Sequence, residues 1–289
     1  MNPKIIAENV NSIFSLPEIA MRINELINSG EASSDNLEEI IIHDPALTAK
    51  LLKLANSPYF GFSRKVETVS HAISLIGHKE LRNLVIATSV TSTFKDVPSD
   101  LVDMEAFWYH SVTCGVMARL FAAQTNTKEE ERFFIAGLLQ GIGKLIFFSQ
   151  YPTESKKILS LKDQGEAAIT NAELETFGFT HAQLSAELLK QWQLPSSIWE
   201  MIEFQFDPLN KNAPIQDSCI LHVAVNIANS IEPCANQTVS MDEIKPTYNV
   251  EAWNKLGLSP EVTQTIIGKT GVQIIEMLGI IKPEAIMIY

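Results

Sequence analysis

The spacing of apolar residues constrains this chain most, because it repeats at the period of an α-helix almost everywhere. In "DPALTAKLLKLANS", Leu47, Leu51, Leu54 and Ala55 fall at i, i+4, i+7 and i+8, on one helix face. Just before it, "SDNLEEIIIHD" has Asp35 with Glu38 three residues on, an arrangement expected to cap a helix. Asp44-Pro45 then closes that helix and opens the next, since proline is tolerated only in a first turn and restricts the residue before it. "SHAISLIG" is expected to end at Gly77, and "HKELRNLVIATSVTSTF" to be the following helix. Few runs of alternating polarity bounded by turn residues occur, so sheet is minor or absent.

The same reading extends to the C-terminus. "MEAFWYHSVTCGVMARLFAAQT" is a long helix candidate, and "KEEERFFIAGLLQGIGKLIFFSQY" reads as the next, an apolar helix with an odd Gln-Gly inside it. "THAQLSAELLKQWQLP" and "SSIWEMIEFQF" form a helix pair split at Leu194-Pro195, and "DSCILHVAVNIANSI" is apolar enough to be central. "SPEVTQTIIGKTGVQIIEMLGII" adds one or two helices. The fold class is therefore all-α. The "KDVPSD" loop at 95–100 divides an N-terminal bundle, 1–100, from a core, 101–235, with a C-terminal extension, 236–289. No Gly/Ser-rich linker separates the bundles, so they are expected to pack together.

Composition narrows the function. The net charge of −12 repels nucleic-acid phosphates and anionic membranes, and no run of three basic residues offsets it. Nucleic acid is thus not an expected partner. No stretch approaches 18 uninterrupted apolar residues and the N-terminus has no apolar signal region, so no membrane span or secretory signal is expected. Cys114, Cys219 and Cys234 form no CxxC pair and lie in or beside apolar stretches, as buried reduced thiols of a cytoplasmic protein would. The sequon "NQT" at 236–238 has no meaning there.

Motif searches exclude two chemistries. Gly143-Lys144 is followed by Leu145, which has no hydroxyl for magnesium, and Gly268-Lys269-Thr270 has Thr263 where a phosphate loop needs its first glycine. No G-x-S-x-G elbow exists for a serine hydrolase. The histidines are His43, His71, His78, His110, His181 and His222, with no H-x-x-x-H pair. His43 suits a helix end, His71 and His78 flank a short helix, and His110 and His181 lie on apolar helices. Taken singly, each is more often a hydrogen-bonded core histidine than a ligand.

Residues about 14–210 resemble the HDOD domain family, the HD-related output domain of bacterial signalling proteins. The resemblance rests on "LPEIAMRINELI", "IIHDPALTAKLLKLANSPYFG" and "VETVSHAISLIGHKELRNLVIA", and on their joint spacing. It implies two packed helical bundles, the C-terminal one like an HD phosphohydrolase core. Carried over by position, that core's first histidine matches His110, and its His-Asp pair falls on Gln140 and Gly141. The following lysine is Lys144, and a further histidine of binuclear members matches His181. The paired histidines fall on Gln205 and Phe206, and the last aspartate on Val225.

Of the four basic ligands, only His110 remains. Glycine, valine and phenylalanine bring no side-chain donor, and a neutral amide is a poor substitute for imidazole or carboxylate. His110 and His181 fall short of the three protein ligands a catalytic metal needs. No metal or other cofactor is therefore expected. Gln140 is expected to hydrogen-bond internally, with His110 as its partner. The resemblance implies a non-catalytic regulatory module that binds a protein partner in a signalling pathway. Two alternatives stay open: a divergent metal-dependent phosphohydrolase acting on a nucleotide or cyclic dinucleotide, and a small-ligand sensor without turnover. Tyr59, Phe60 and Phe62 in "NSPYFGF" either form an interface or fold back to lock the loop at the junction of the bundles.

Overall fold

A computed structural model describes residues 1–94, 97–125, 127–230 and 249–288. Its helices are α1 (Pro3–Val10), α2 (Glu18–Ser29), α3 (Ser34–Ile42), α4 (Pro45–Ala55), α5 (Val69–Ile76) and α6 (His78–Thr93). The central elements follow: α7 (Met104–Gln124), α8 (Glu131–Leu139), α9 (Ile142–Gln150), α10 (Pro152–Leu159) and α11 (Glu166–Phe177). The last are α12 (His181–Gln191), α13 (Ser196–Glu203), α14 (Ile215–Ser230), α15 (Val250–Leu256) and α16 (Pro260–Ile281). Among the described residues there is no strand, as the helical spacing requires.

Local chemistry sets the helix ends. Asp44 caps α4, its Oδ1 accepting from the amides of Ala46 and Leu47 at 2.9 Å, with Pro45 in the first turn. Gly77 ends α5 and precedes α6 at φ 84°, a backbone region that favours glycine. At α3 the expected cap is displaced. Ser33 caps the helix and Asn36 completes the capping box, while Asp35 lies inside the first turn. A serine hydroxyl followed three residues later by an amide side chain satisfies two orphan amides in the same reciprocal way, two residues earlier.

The larger correction concerns residues 128–151. They do not form one helix. The chain breaks at Gln140-Gly141 into α8 and α9, and the two Gln-Gly residues form the turn between them. By length and composition Glu131–Gln150 could cross a membrane, but 83% of the most apolar stretch is buried inside the fold.

The core centres on α7, which packs along α8, α14 and α16. Its crossing with α8 is made possible by two glycines. A Cβ on Gly115 would sit 2.6 Å from the Phe134 carbonyl oxygen, and one on Gly137 equally close to Cys114 backbone. The N-terminal helices are tied to the rest by polar contacts as well. Asn24 on α2 donates to the Trp192 carbonyl at 2.9 Å, and Trp192 Nε1 donates to the Phe14 carbonyl at 3.0 Å. The helix α1 lies on α12, and α16 reaches back to α4 and α6. Cys114 and Cys219 are free and buried, whereas Cys234 and the sequon at 236–238 lie outside the described residues.

The "NSPYFGF" aromatics turn toward this junction. Tyr59 is buried, with the Arg119 guanidinium 3.9 Å above its ring and the Phe134 ring edge-on at 5.6 Å. Phe60 and Phe62 stack on each other at 5.5 Å and stay partly exposed. Burying a ring of this size stabilises by roughly 1.5–3 kcal/mol, so Tyr59 clamps the loop down.

Candidate functional site

The break at Gln140-Gly141 lies beside α12, and a serine and a glycine bring the two segments together. Gly143 at the start of α9 meets α12 so closely that a Cβ there would lie 2.1 Å from the His181 carbonyl oxygen. The Ser185 hydroxyl accepts from the Gly143 amide at 2.8 Å and lies 2.8 and 2.9 Å from the Gln140 and His181 carbonyls. This seam places Lys144, Gln140 and His181 around one another.

One side of the site is ionic. Glu173 accepts from the His181 backbone amide at 2.8 Å and lies 2.9 Å from its Nδ1. That carboxylate sits at the N-terminus of α12, where the helix dipole favours it. It also fixes a proton on Nδ1, which turns Nε2 inward. Nε2 is fully buried with no hydrogen-bond partner, 3.7 Å from Glu166 Oε1. Lys144 Nζ donates to the same Glu166 oxygen at 2.9 Å. Burial opposes ionisation of Glu166, but the Lys144 ammonium, with His181 beside it, outweighs that and holds the carboxyl at about 2. Burial likewise works against the Lys144 charge, and the attraction and hydrogen bond of Glu166 raise it above the usual lysine value. The Phe206 ring closes this side, edge-on to His181 at 5.2 Å.

The other side is neutral. Gln205 Nε2 donates to Gln140 Oε1 at 3.0 Å, both side chains being buried. His222 accepts from the Asn249 amide through Nε2 at 2.9 Å, so its Nδ1 carries the proton and donates to the Gln205 carbonyl at 2.7 Å. Burial keeps His222 uncharged by lowering its pKa. Val225 is buried three residues further along α14. Gly141 lies beside the Phe107 ring, which a Cβ would meet at 3.5 Å, an ordinary van der Waals contact.

His110 stands between the two sides. Its Nε2 is 3.3 Å from Cys114 Sγ, and Gln140 Nε2 lies 4.0 Å from that same sulfur. The expected Gln140–His110 hydrogen bond is thus replaced by a contact through Cys114, one helical turn along α7. Burial, then the charge of Lys144, lowers His110 to about 4 and keeps the imidazole neutral. Burial raises the Cys114 thiol, which stays protonated.

Sequence reasoning missed Cys114, Glu166, Glu173 and His222 as parts of this arrangement. The carboxylates had a signal. Glu166 and Glu173 are seven apart, and Glu173 shares a buried α11 face with Thr170 and Phe177. An acidic residue on an apolar face needs a partner within the fold.

The donor set does not fit a catalytic metal. Among the described residues no group of three or more His, Cys, Asp or Glu side chains is placed to hold an ion. His181 Nδ1 is engaged by Glu173, the imidazole of His110 meets a protonated thiol, and an ammonium already neutralises Glu166.

Comparison with known proteins places this arrangement in a family. The sequence model of the HDOD domain matches residues 13–208, and the chain belongs to the HDOD domain family. An uncharacterised protein of Treponema pallidum (strain Nichols) is 27% identical over 202 residues, 69% of this chain. The match spans 38% of that relative's length. Among solved structures, an HDOD domain protein of unknown function from Geobacter sulfurreducens is 22% identical, with a TM-score of 0.65 over 96% of both chains. A provisionally named phosphohydrolase from Shewanella amazonensis SB2B is 23% identical, with a TM-score of 0.73 over 96% of this chain and 97% of that one. These likenesses confirm the all-helical, HD-like fold.

Proposed function

We propose that the chain is a non-catalytic signal-transduction module that acts in the bacterial cytoplasm by binding a protein partner. The observation that supports this reading most is the internal pairing of the site. Gln205 donates to Gln140, Lys144 pairs with Glu166, and Glu173 holds His181 through its backbone amide and Nδ1. A metal-dependent hydrolase needs ligands turned toward an open coordination position; these groups are turned toward one another. On this reading His110, Gln140, Gly141, Lys144, His181, Gln205, Phe206 and Val225 are the remnants of an HD site kept for its shape. The units 1–100, 101–235 and 236–289 serve as bundle, core and extension, although the second boundary lies outside the described residues. Phe60 and Phe62 are the interface candidates of the "NSPYFGF" loop, since Tyr59 is committed to the core. Affinity capture from native cell extract with the full chain as bait, read by mass spectrometry, tests the proposal. A partner held by wild type and lost on Phe60→Ala, with the melting temperature unchanged, is the expected result. Equal recovery with an unrelated bait overturns it.

A divergent phosphohydrolase is the second reading, favoured by one observation: His181 Nε2 is buried and has no hydrogen-bond partner, 3.7 Å from the Glu166 oxygen that the kept Lys144 also holds. Hydrolysis of a nucleotide or cyclic dinucleotide by purified protein, lost on His110→Ala, would establish it in place of the first.

A further inference from the structure

The seam where α6 and the loop after α4 meet α7 and α8 carries polar groups that are neither paired nor wet. Glu80 and Arg82 on α6 are buried, and so is Tyr59 in the loop. Arg82 donates through Nη1 to Asn28 at 3.2 Å and through Nη2 to Asn83 at 3.4 Å, and Asn83 donates to Glu80 Oε2 at 3.3 Å. Arg119 on α7 donates through Nη2 to the Tyr59 carbonyl at 3.3 Å, its guanidinium lying above the Tyr59 ring. The charges of Arg119 and Arg82 both bear on Glu80, yet the hydrogen bonds of both guanidiniums go elsewhere.

Four atoms are left over. Tyr59 Oη, Glu80 Oε1, Arg82 Nε and Arg119 Nε have no hydrogen-bond partner and are out of reach of solvent. They are four of the ten such side-chain atoms among the described residues, and they share this one seam. A buried donor or acceptor without a partner loses its hydration in the closed state and regains it once exposed. The polar groups therefore favour opening. What holds the seam shut is apolar: the Tyr59 ring lies edge-on to Phe134 at 5.6 Å, and Leu81, Leu84 and Val85 of α6 are buried.

The other attachment of the N-terminal helices is different. Between α2 and the end of α12, Asn24 donates to the Trp192 carbonyl at 2.9 Å and Asn28 to the Gln193 carbonyl at 2.9 Å, while Trp192 Nε1 donates to the Phe14 carbonyl at 3.0 Å. Opening there breaks bonds that are made. Opening at the seam supplies bonds that are missing. A region with opposed terms of this kind parts before the rest of the fold.

We propose that the seam is a conformational joint, at which α6 and the Tyr59 loop part from α7 and α8 at a free energy below that of global unfolding. The chain then has a closed state and an open state, and in the open state water reaches Tyr59 Oη, Glu80, Arg82 and Arg119. Tyr59 meets Phe60 edge-on at 5.1 Å, so opening also displaces the stacked rings of Phe60 and Phe62. The joint itself does not depend on what those rings bind.

Chemical labelling of the native full chain at neutral pH tests the proposal. Phenylglyoxal reports Arg82, and iodoacetamide reports Cys114, which is fully buried in the core. Each site is followed by mass spectrometry and referred to its rate in the urea-unfolded chain. Arg82 should be protected at least about tenfold less than Cys114, because the joint opens without the core. Tyr59→Phe keeps the ring and removes one unpaired hydroxyl, so it favours the closed state. It should slow Arg82 labelling about fivefold or more, as relief of one unpaired buried group does. Arg82 as protected as Cys114 overturns the proposal, since the seam then opens only with the whole fold. So does Arg82 labelling that Tyr59→Phe leaves at the wild-type rate or speeds up, since the reagent then reaches Arg82 without the joint opening or the hydroxyl is satisfied when closed.

Discussion

The two sides of the HD-derived site solve one physical problem differently. Where a metal core holds cationic charge against carboxylates, the ionic side balances its own carboxylates with a cation from the chain, as Lys144 beside Glu166. The neutral side removes charge altogether and closes on an amide pair, Gln140 with Gln205. A buried ion pair depends on both members, because a lone charge left behind is costly to desolvate. A neutral amide pair is more forgiving, since replacing both members by apolar groups of similar shape leaves nothing unpaired. The ionic side should therefore be brittle and the neutral side tolerant.

The severest test strikes the seam that both sides share. Gly143→Ala places a methyl on the His181 carbonyl and pushes α9 from α12. It should cost at least about 3 kcal/mol in urea unfolding. A cost below 1 kcal/mol would mean that the helices separate easily and that the site geometry is soft.

Glu173→Ala follows, stripping His181 of acceptors for its buried amide and its Nδ1–H. The expected loss is about 3 kcal/mol. The neutral side should respond differently. Gln205→Leu strands the Gln140 amide and should cost about 1–2 kcal/mol, but Gln140→Leu added to it should restore part of that loss. A double-mutant cycle with fully additive costs would contradict the pairing.

The last test is one of pH, and it acts in two windows. Glu166 has a folded pKa of about 2, below its ordinary value near 4.5, so its contribution is complete above 4.5 and is lost as pH falls toward 2. His110 is also depressed, from about 6.5 to about 4. The unfolded chain then binds the extra proton first, so stability falls as pH drops from 6.5 to 4. Stability against pH should thus decline in two stages. His110→Asn should remove the upper stage and leave the lower.

Much of the fold was legible in the sequence because helix periodicity and proline positions are local signals. The split at Leu194-Pro195 and the opening of α4 at Pro45 needed nothing beyond the chain itself. The break at Gln140-Gly141 was not legible, since apolar residues continue on both flanks and the turn is set by the contact of Gly143 with α12. The losses at Gln140, Gly141, Gln205, Phe206 and Val225 could be read only against the family pattern. What took their place could not be read at all. Cys114 and His222 were visible as residues, but their roles depend on contacts with Gln140, Gln205 and Asn249, far along the chain.

Metal content tests the central claim most directly. The full chain would be incubated with manganese, iron(II) or zinc, desalted and assayed by elemental analysis beside His110→Ala. An internally paired site predicts only trace metal, equal in the two proteins. A stoichiometric ion in wild type that disappears with His110→Ala would contradict it and restore the site to the metal-dependent hydrolases.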